Sequence, residues 1–135
     1  MTNKPNSNDA MNLPQGELVI QTVAMPNSTN FNGDIFGGWL LSQMDMGAGI
    51  VATRRCQKRC ATVAIDKIEF LSPVKVGDTV CCYGKLINVG RTSMKIQIQA
   101  WVIRKLTNQR KKVTDGLFTF VAINEDGNPV PVDDK

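Results

Sequence analysis

Apolar and polar positions change their period twice along this chain. Glu17–Val23, ELVIQTV, is rich in β-formers and predicts a first strand. From Phe36 to Cys56, FGGWLLSQMDMGAGIVATRRC, the pattern predicts one long helix. β-formers then return and predict strands over Ala61–Ser72, Thr79–Val89, Met94–Arg104 and Val113–Asn124. Met94–Arg104 alternates best, with Met94, Ile96, Ile98, Ala100 and Val102 on one face. Met25–Gly33 is dense in Asn, Ser, Pro and Gly and predicts a loop. Pro73–Asp78 predicts a turn, Gly90-Arg91-Thr92-Ser93 a tight connection, and Thr107–Lys112 a charged hairpin loop. Residues 1–16 and 128–135 are expected to be loose tails around one domain spanning 17–127.

One strand, one long helix and four closely linked strands make an α+β chain. Short links imply antiparallel neighbours. A sheet of about five such strands with a single apolar helix must wrap its apolar face around that helix. That arrangement is the hotdog architecture.

The helix holds one acid, Asp45. At 3.6 residues per turn, Asp45 shares a face with Gly38, Leu41, Ser42, Ala48, Gly49 and Ala52. Trp39, Leu40, Met44, Met46, Ile50 and Val51 lie off that face. The expectation is a groove of small residues with a carboxylate in it. A carboxylate there is costly unless hydrogen-bonded, paired or near water. It is either a buried Asp bonded to a neighbour or a catalytic carboxylate in a cleft. At the helix start, the amides of Gly37 and Gly38 have no helical partner and can bind an oxygen. Asp34, just before the helix, suits the positive end of its dipole.

Composition narrows the chemistry. The chain has no histidine, which removes Ser-His-Asp and Cys-His catalysis, histidine metal sites and histidine-based dehydratases. Acid–base work falls to carboxylates, Lys, Tyr or Cys. The net charge of +4 favours an anionic ligand such as a phosphorylated cofactor. The basic residues are scattered and aromatics are few, so nucleic acid is not expected as a partner. Cys56, Cys60, Cys81 and Cys82 fit no zinc spacing, and Cys81 and Cys82 would point to opposite faces of a strand. They are expected to be reduced, in a cytoplasmic protein. No targeting segment is visible, and Asp45 and Gln43 argue against a membrane span over Ile35–Ala52.

The run AMPNSTNFNGDIFGGWLLSQMDMGAGIVA, Ala24–Ala52, resembles the acyl-CoA hydrolase group of hotdog proteins, and within it the bacterial YciA-type acyl-CoA thioesterases. FLSPVKVGDTVCCYGKLINVGRTS and TDGLFTFVAINEDG, Phe70–Ser93 and Thr114–Gly127, are similar to the same family. The resemblance implies hydrolysis of acyl-CoA to CoA and a carboxylic acid. It further implies a dimer or trimer of dimers, with no metal and no cofactor beyond the CoA of the substrate. The family's catalytic carboxylate falls on Asp45 and its oxyanion-binding helix start on Gly37 and Gly38. Its CoA-contacting turn falls on Gly90, Arg91, Thr92 and Ser93. Asp34 either orients water or caps the helix.

The chemistry of the residues agrees. A thioester carbonyl needs donors for its developing oxyanion, which paired helix-start amides supply. It also needs a base for water or a direct nucleophile, and Asp45 can be either. Arg91 is a candidate phosphate contact; Arg54, Arg55 and Lys58 are others, against solvated charge. A non-catalytic hotdog protein that binds acyl-CoA is the alternative, but a pure binder has no need of a carboxylate at Asp45.

Overall fold

A computed structural model of the chain describes residues 13–133. It contains strand β1 (Glu17–Val23), a short 3-10 turn at Pro26–Ser28, helix α1 (Gly37–Cys56), and strands β2 (Cys60–Phe70), β3 (Thr79–Val89), β4 (Ser93–Ile103) and β5 (Arg110–Ala122). The strands form one antiparallel sheet in the order β1-β3-β4-β5-β2. β3, β4 and β5 form a meander because their links are short. α1 carries the chain from β1 at one edge to β2 at the other, across the inner face of the sheet. This is the expected hotdog arrangement.

The core lies between α1 and that inner face. Met94, Ile96, Ile98, Ala100 and Val102 are all fully buried, as the alternation of β4 predicts. β5 adds Phe118 and Phe120, and β3 adds Val80 and Cys82. The helix meets this bulk with Leu40, Met44, Gly47, Ala48, Ala52 and Cys56. Here the structure corrects the expected groove. Ala48 and Ala52 are not beside an open cleft but fully buried. Met46, by contrast, is 51% exposed. Beside Leu40 and Met44, the helix turns small residues to the sheet, and these set how closely the two approach. A Cβ on Gly47 would stand 2.9 Å from Val19 Cγ2, and one on Gly84 would stand 2.8 Å from Val51 Cγ2.

The strand ends shift for local reasons. β5 starts at Arg110 rather than Val113, because Arg110, Lys111 and Lys112 pair by backbone with Ile103, Val102 and Trp101 whatever their charge. It stops at Ala122, because the Asn124 side chain accepts from the amides of Asp126 and Asn128 (both 3.0 Å) and turns the chain. β2 stops at Phe70, shortly before Pro73. The helix ends on Gln57 in the left-handed region (φ 54°), its N–H donating to the Thr53 carbonyl at 2.8 Å.

The expected loose C-terminal tail is corrected over 128–133; residues 134–135 lie outside the described residues. Ile123 and Pro129 form a bridge, the Val130 N–H donates to the Ala122 carbonyl (2.9 Å), and Val132 is 3% exposed within the core cluster. Two valines spaced to face inward outweigh the polar composition around them. Of the expected N-terminal tail, 1–12 lie outside the described residues. Gln15 is docked, its N–H donating to Gln99 Oε1 (3.0 Å), and Trp101 Nε1 donates to the same oxygen at 3.0 Å.

Candidate active site

Asp45 stands in the middle of α1, half-buried. Its Oδ1 accepts a hydrogen bond from Thr62 Oγ1 of β2 at 2.6 Å. Thr62 sits where the β2–β5 register shifts, between Thr62 and Ala64. Asp45 Oδ2 has no protein partner among the described residues. The result is a carboxylate fixed by one oxygen and open at the other. Nothing in the sequence marked Thr62, because a threonine among β-formers is an ordinary strand residue.

Gly37 and Gly38 open α1. Trp39 and Leu40 donate to the Phe36 carbonyl (3.2 and 3.5 Å), while the amides of Gly37 and Gly38 have no partner among the described residues. Aromatic rings press on both positions. A Cβ on Gly37 would lie 3.2 Å from the Phe70 ring, and one on Gly38 would lie 3.3 Å from the Phe36 ring. Gly37 borders a cavity of about 460 Å³ lined also by Asn30, Asp34, Phe70, Ser72 and Pro73. Asp45 does not line it. Gly38 and Asp45 are two turns apart, about 10.5 Å at 1.5 Å per residue. Within one chain the two halves of the expected site are therefore not brought together.

Asp34 does not cap the helix; the N-cap is Phe36, with no side-chain cap bond. The Asp34 carboxylate instead accepts from Lys75 Nζ, and its N–H donates to Asn30 Oδ1 (3.1 Å). Asp78, buried nearby, accepts from Arg104 and from the Lys75 N–H (2.8 Å). The Val74 carbonyl takes the Ile35 N–H (2.9 Å), so this turn anchors the entry to α1.

The Gly90–Ser93 turn is closed by the Gly90 N–H donating to the Ser93 carbonyl (2.8 Å). A Cβ at position 90 would stand 2.9 Å from Ser93 Oγ, which would have to turn aside. Arg91 is exposed, and its guanidinium has no partner among the described residues. The other basic candidates are occupied. Arg54 pairs with Glu17 (2.8 Å), Arg55 with both oxygens of Asp133 (2.8 and 3.2 Å), and Lys58 Nζ donates to the carbonyls of Pro131 and Val132 (2.6 and 3.2 Å). The Asp133 hydrogen bond and then its charge hold the Arg55 pKa above its ordinary value.

An apolar cleft of about 570 Å³ runs along the flank of α1 between Ile20, Met46, Gly49, Ile50, Thr53 and Phe120. Gly49 is one helical turn beyond Asp45. A separate cavity of about 380 Å³, lined by Lys67, Glu69, Gln97 and Asp115 among others, contains none of the residues above. The four cysteines are free; Cys82 faces the core, and burial pushes its thiol up to about 12. No described helix is long and apolar enough to cross a membrane.

A single helix carrying one half-buried carboxylate, embraced by a five-stranded antiparallel sheet, places the molecule in the hotdog class. The chain belongs to the thioesterase superfamily, whose family model matches residues 32–105. It is 50% identical over 124 residues to the acyl-CoA thioester hydrolase YciA of Salmonella typhimurium, covering 90% of this chain and 93% of that protein. A hexameric thioesterase from Yersinia pestis superposes with a TM-score of 0.86 at 48% identity, covering 90% of this chain and all of that one (100%). A hexameric hotdog fold thioesterase of Campylobacter jejuni has a TM-score of 0.83 at 38% identity, covering 87% and 91% of the two chains.

Proposed function

We propose that this protein hydrolyses acyl-CoA thioesters to CoA and a carboxylic acid, with Asp45 as general base or nucleophile. The observation that carries the reading is the half-open Asp45 carboxylate, anchored by Thr62, in a chain half identical to an acyl-CoA thioester hydrolase. Water adds its oxygen to the acyl carbon, the carbon–sulfur bond breaks, and the CoA thiolate leaves and is protonated. Donors must meet the oxyanion and a base must meet the water, each within about 3 Å. The free amides of Gly37 and Gly38 suit the first task and Asp45 the second. CoA enters as part of the substrate, and these steps call on no further cofactor.

The two halves meet across a dimer. β2 is an edge strand with Val63 and Ile65 exposed along it. Pairing it with a partner's β2 extends the sheet and sets two helices side by side. Gly37 and Gly38 of one subunit then face Asp45 of the other, and three such dimers make a hexamer like those of the Yersinia and Campylobacter proteins. The apolar cleft beside Gly49 takes the acyl chain, and Arg91, the unoccupied arginine of the Gly90–Ser93 turn, takes a CoA phosphate. The ion pair with Lys75 suits Asp34 to holding the helix start in place.

Thiol release from a panel of acyl-CoAs of graded chain length tests this reading. Turnover of several members is expected. Binding of the same acyl-CoAs without thiol release would favour the non-catalytic binder. Mixing Asp45→Asn chains with chains altered at Gly38 tests the shared site. Partial recovery is expected in mixed dimers, and none would sink it.

A further inference from the structure

The C-terminal segment Pro129–Asp133 touches three parts of the molecule at once. Val130 returns beside β5 through the Ala122 carbonyl. Val132 is buried in the core, and its N–H donates to the carbonyl of Arg91 at 2.8 Å. The neighbouring carbonyl of the same turn, that of Thr92, accepts from the Ala122 N–H at 2.9 Å. Beyond Val132, Asp133 grips Arg55 in the last turn of α1, and Lys58 holds the carbonyls of Pro131 and Val132. Arg55 and Asp133 are solvent-exposed, so their pair adds little stability by itself. The buried valine and the backbone bonds are what fasten the segment.

A hairpin turn of this length is ordinarily among the more mobile parts of a fold. Here two successive carbonyls are tied from outside the hairpin, one by β5 and one by the C-terminal segment. Fixing the Arg91 carbonyl fixes the peptide from which its side chain departs, while the guanidinium itself stays free. An arginine whose backbone is already ordered loses less freedom when it grips an anion.

We infer that Pro129–Asp133 is a positioning strap, which holds Arg91 ready for the phosphate-bearing part of the substrate and ties that turn to the C-terminal end of α1. The inference rests on the reading of Arg91 as a CoA contact given above. The strap touches no reacting atom, so it serves affinity for the nucleotide portion and not the chemistry at the thioester.

The test compares wild type, a chain ending at Asn128, Val132→Pro and Arg91→Ala. Val132→Pro deletes the donated N–H and keeps an apolar side chain. Each is assayed on one acyl group carried by CoA and by N-acetylcysteamine, which has no phosphate. Arg91→Ala is expected to raise KM for the CoA ester about tenfold or more, the worth of a charged hydrogen bond, at nearly constant kcat. Both strap variants are expected to raise KM in the same direction and leave the N-acetylcysteamine ester unaffected. Adding Arg91→Ala to either should change little further. Equal losses on both esters would reduce the strap to general packing and overturn the inference. So would unchanged KM in folded strap variants while Arg91→Ala remains impaired, and then the role of Arg91 stands. If Arg91→Ala itself binds the CoA ester normally, the reading of the turn falls and the strap with it.

Discussion

Thr62 donates its hydroxyl to Asp45 Oδ1 across 2.6 Å, joining the edge strand to the middle of the helix. A carboxylate on a helix can swing about its own side-chain torsions; this bond selects one orientation and leaves the second oxygen outward. Removing the donor while keeping the shape should therefore cost turnover more than stability. Thr62→Val is expected to lower kcat roughly tenfold to a hundredfold, the worth of a hydrogen bond to a charged group. Thr62→Ser should restore most of it. A Thr62→Val enzyme with normal kcat would show that the bond only fills a structural need.

Asp45→Asn keeps the shape and can still accept from Thr62, but it cannot take a proton or attack a carbonyl. Loss of general-base help alone is worth about 10²–10⁴-fold. The variant is expected to unfold near the wild-type temperature and to hydrolyse acyl-CoA at that reduced rate or below. Calorimetry and thiol release on one preparation separate this from a purely structural Asp45, which would keep its activity.

Arg104 and Asp78 form a pair whose side chains are 19% and 3% exposed, beneath the turn that anchors the helix start. Breaking a buried pair from one side strands the other charge, at a cost of about 3–5 kcal/mol. Arg104→Met should lower Tm by on the order of ten degrees or more. Adding Asp78→Asn should recover part of the loss. Thermal unfolding of the two variants decides it.

Cys82 gives a pH dependence. Burial raises its thiol to about 12, so the folded chain keeps the proton after the unfolded chain has released it. A group raised in the folded state contributes no penalty below the unfolded value, near about 8.5. Above that value the contribution of Cys82 to stability falls, by up to about 1.4 kcal/mol per pH unit until the folded pKa is reached. Urea midpoints of wild type and Cys82→Ala should therefore converge between about pH 8.5 and 10.5. Parallel curves would contradict the shift.

Much of the fold was legible because its signals are periodic. β4 alternates from Met94 to Ala100, and α1 is a long apolar run between glycines and a basic end. Asp45 was legible as the only acid on an apolar helix. Its partner was not, since Thr62 obeys every expectation for a strand. The buried face of α1 was misjudged because small residues carry no hydrophobic weight on a wheel, although Gly47, Ala48 and Ala52 set how near the helix lies to the sheet. The strap was hidden by Gly127 and Asn128 before it and by its own two prolines; only the tertiary seat of Val132 reveals it.

The order of the strands also sets an order of events. β3, β4 and β5 follow one another in sequence and close only short loops, so they can assemble early. β1 and β2 flank the helix in sequence yet end on opposite edges of the sheet. Each edge strand docks on its own side of the meander, β1 on β3 and β2 on β5, and the helix gains its full cover only when both have done so. Nucleation in the meander, then joint closure of the edges over α1, is the expected route. Pulsed hydrogen exchange during refolding should find β4 protected first and the amides of β1 and β2 later and together. The bond that orients Asp45 runs to β2, so on this route activity is the last property the refolding chain recovers.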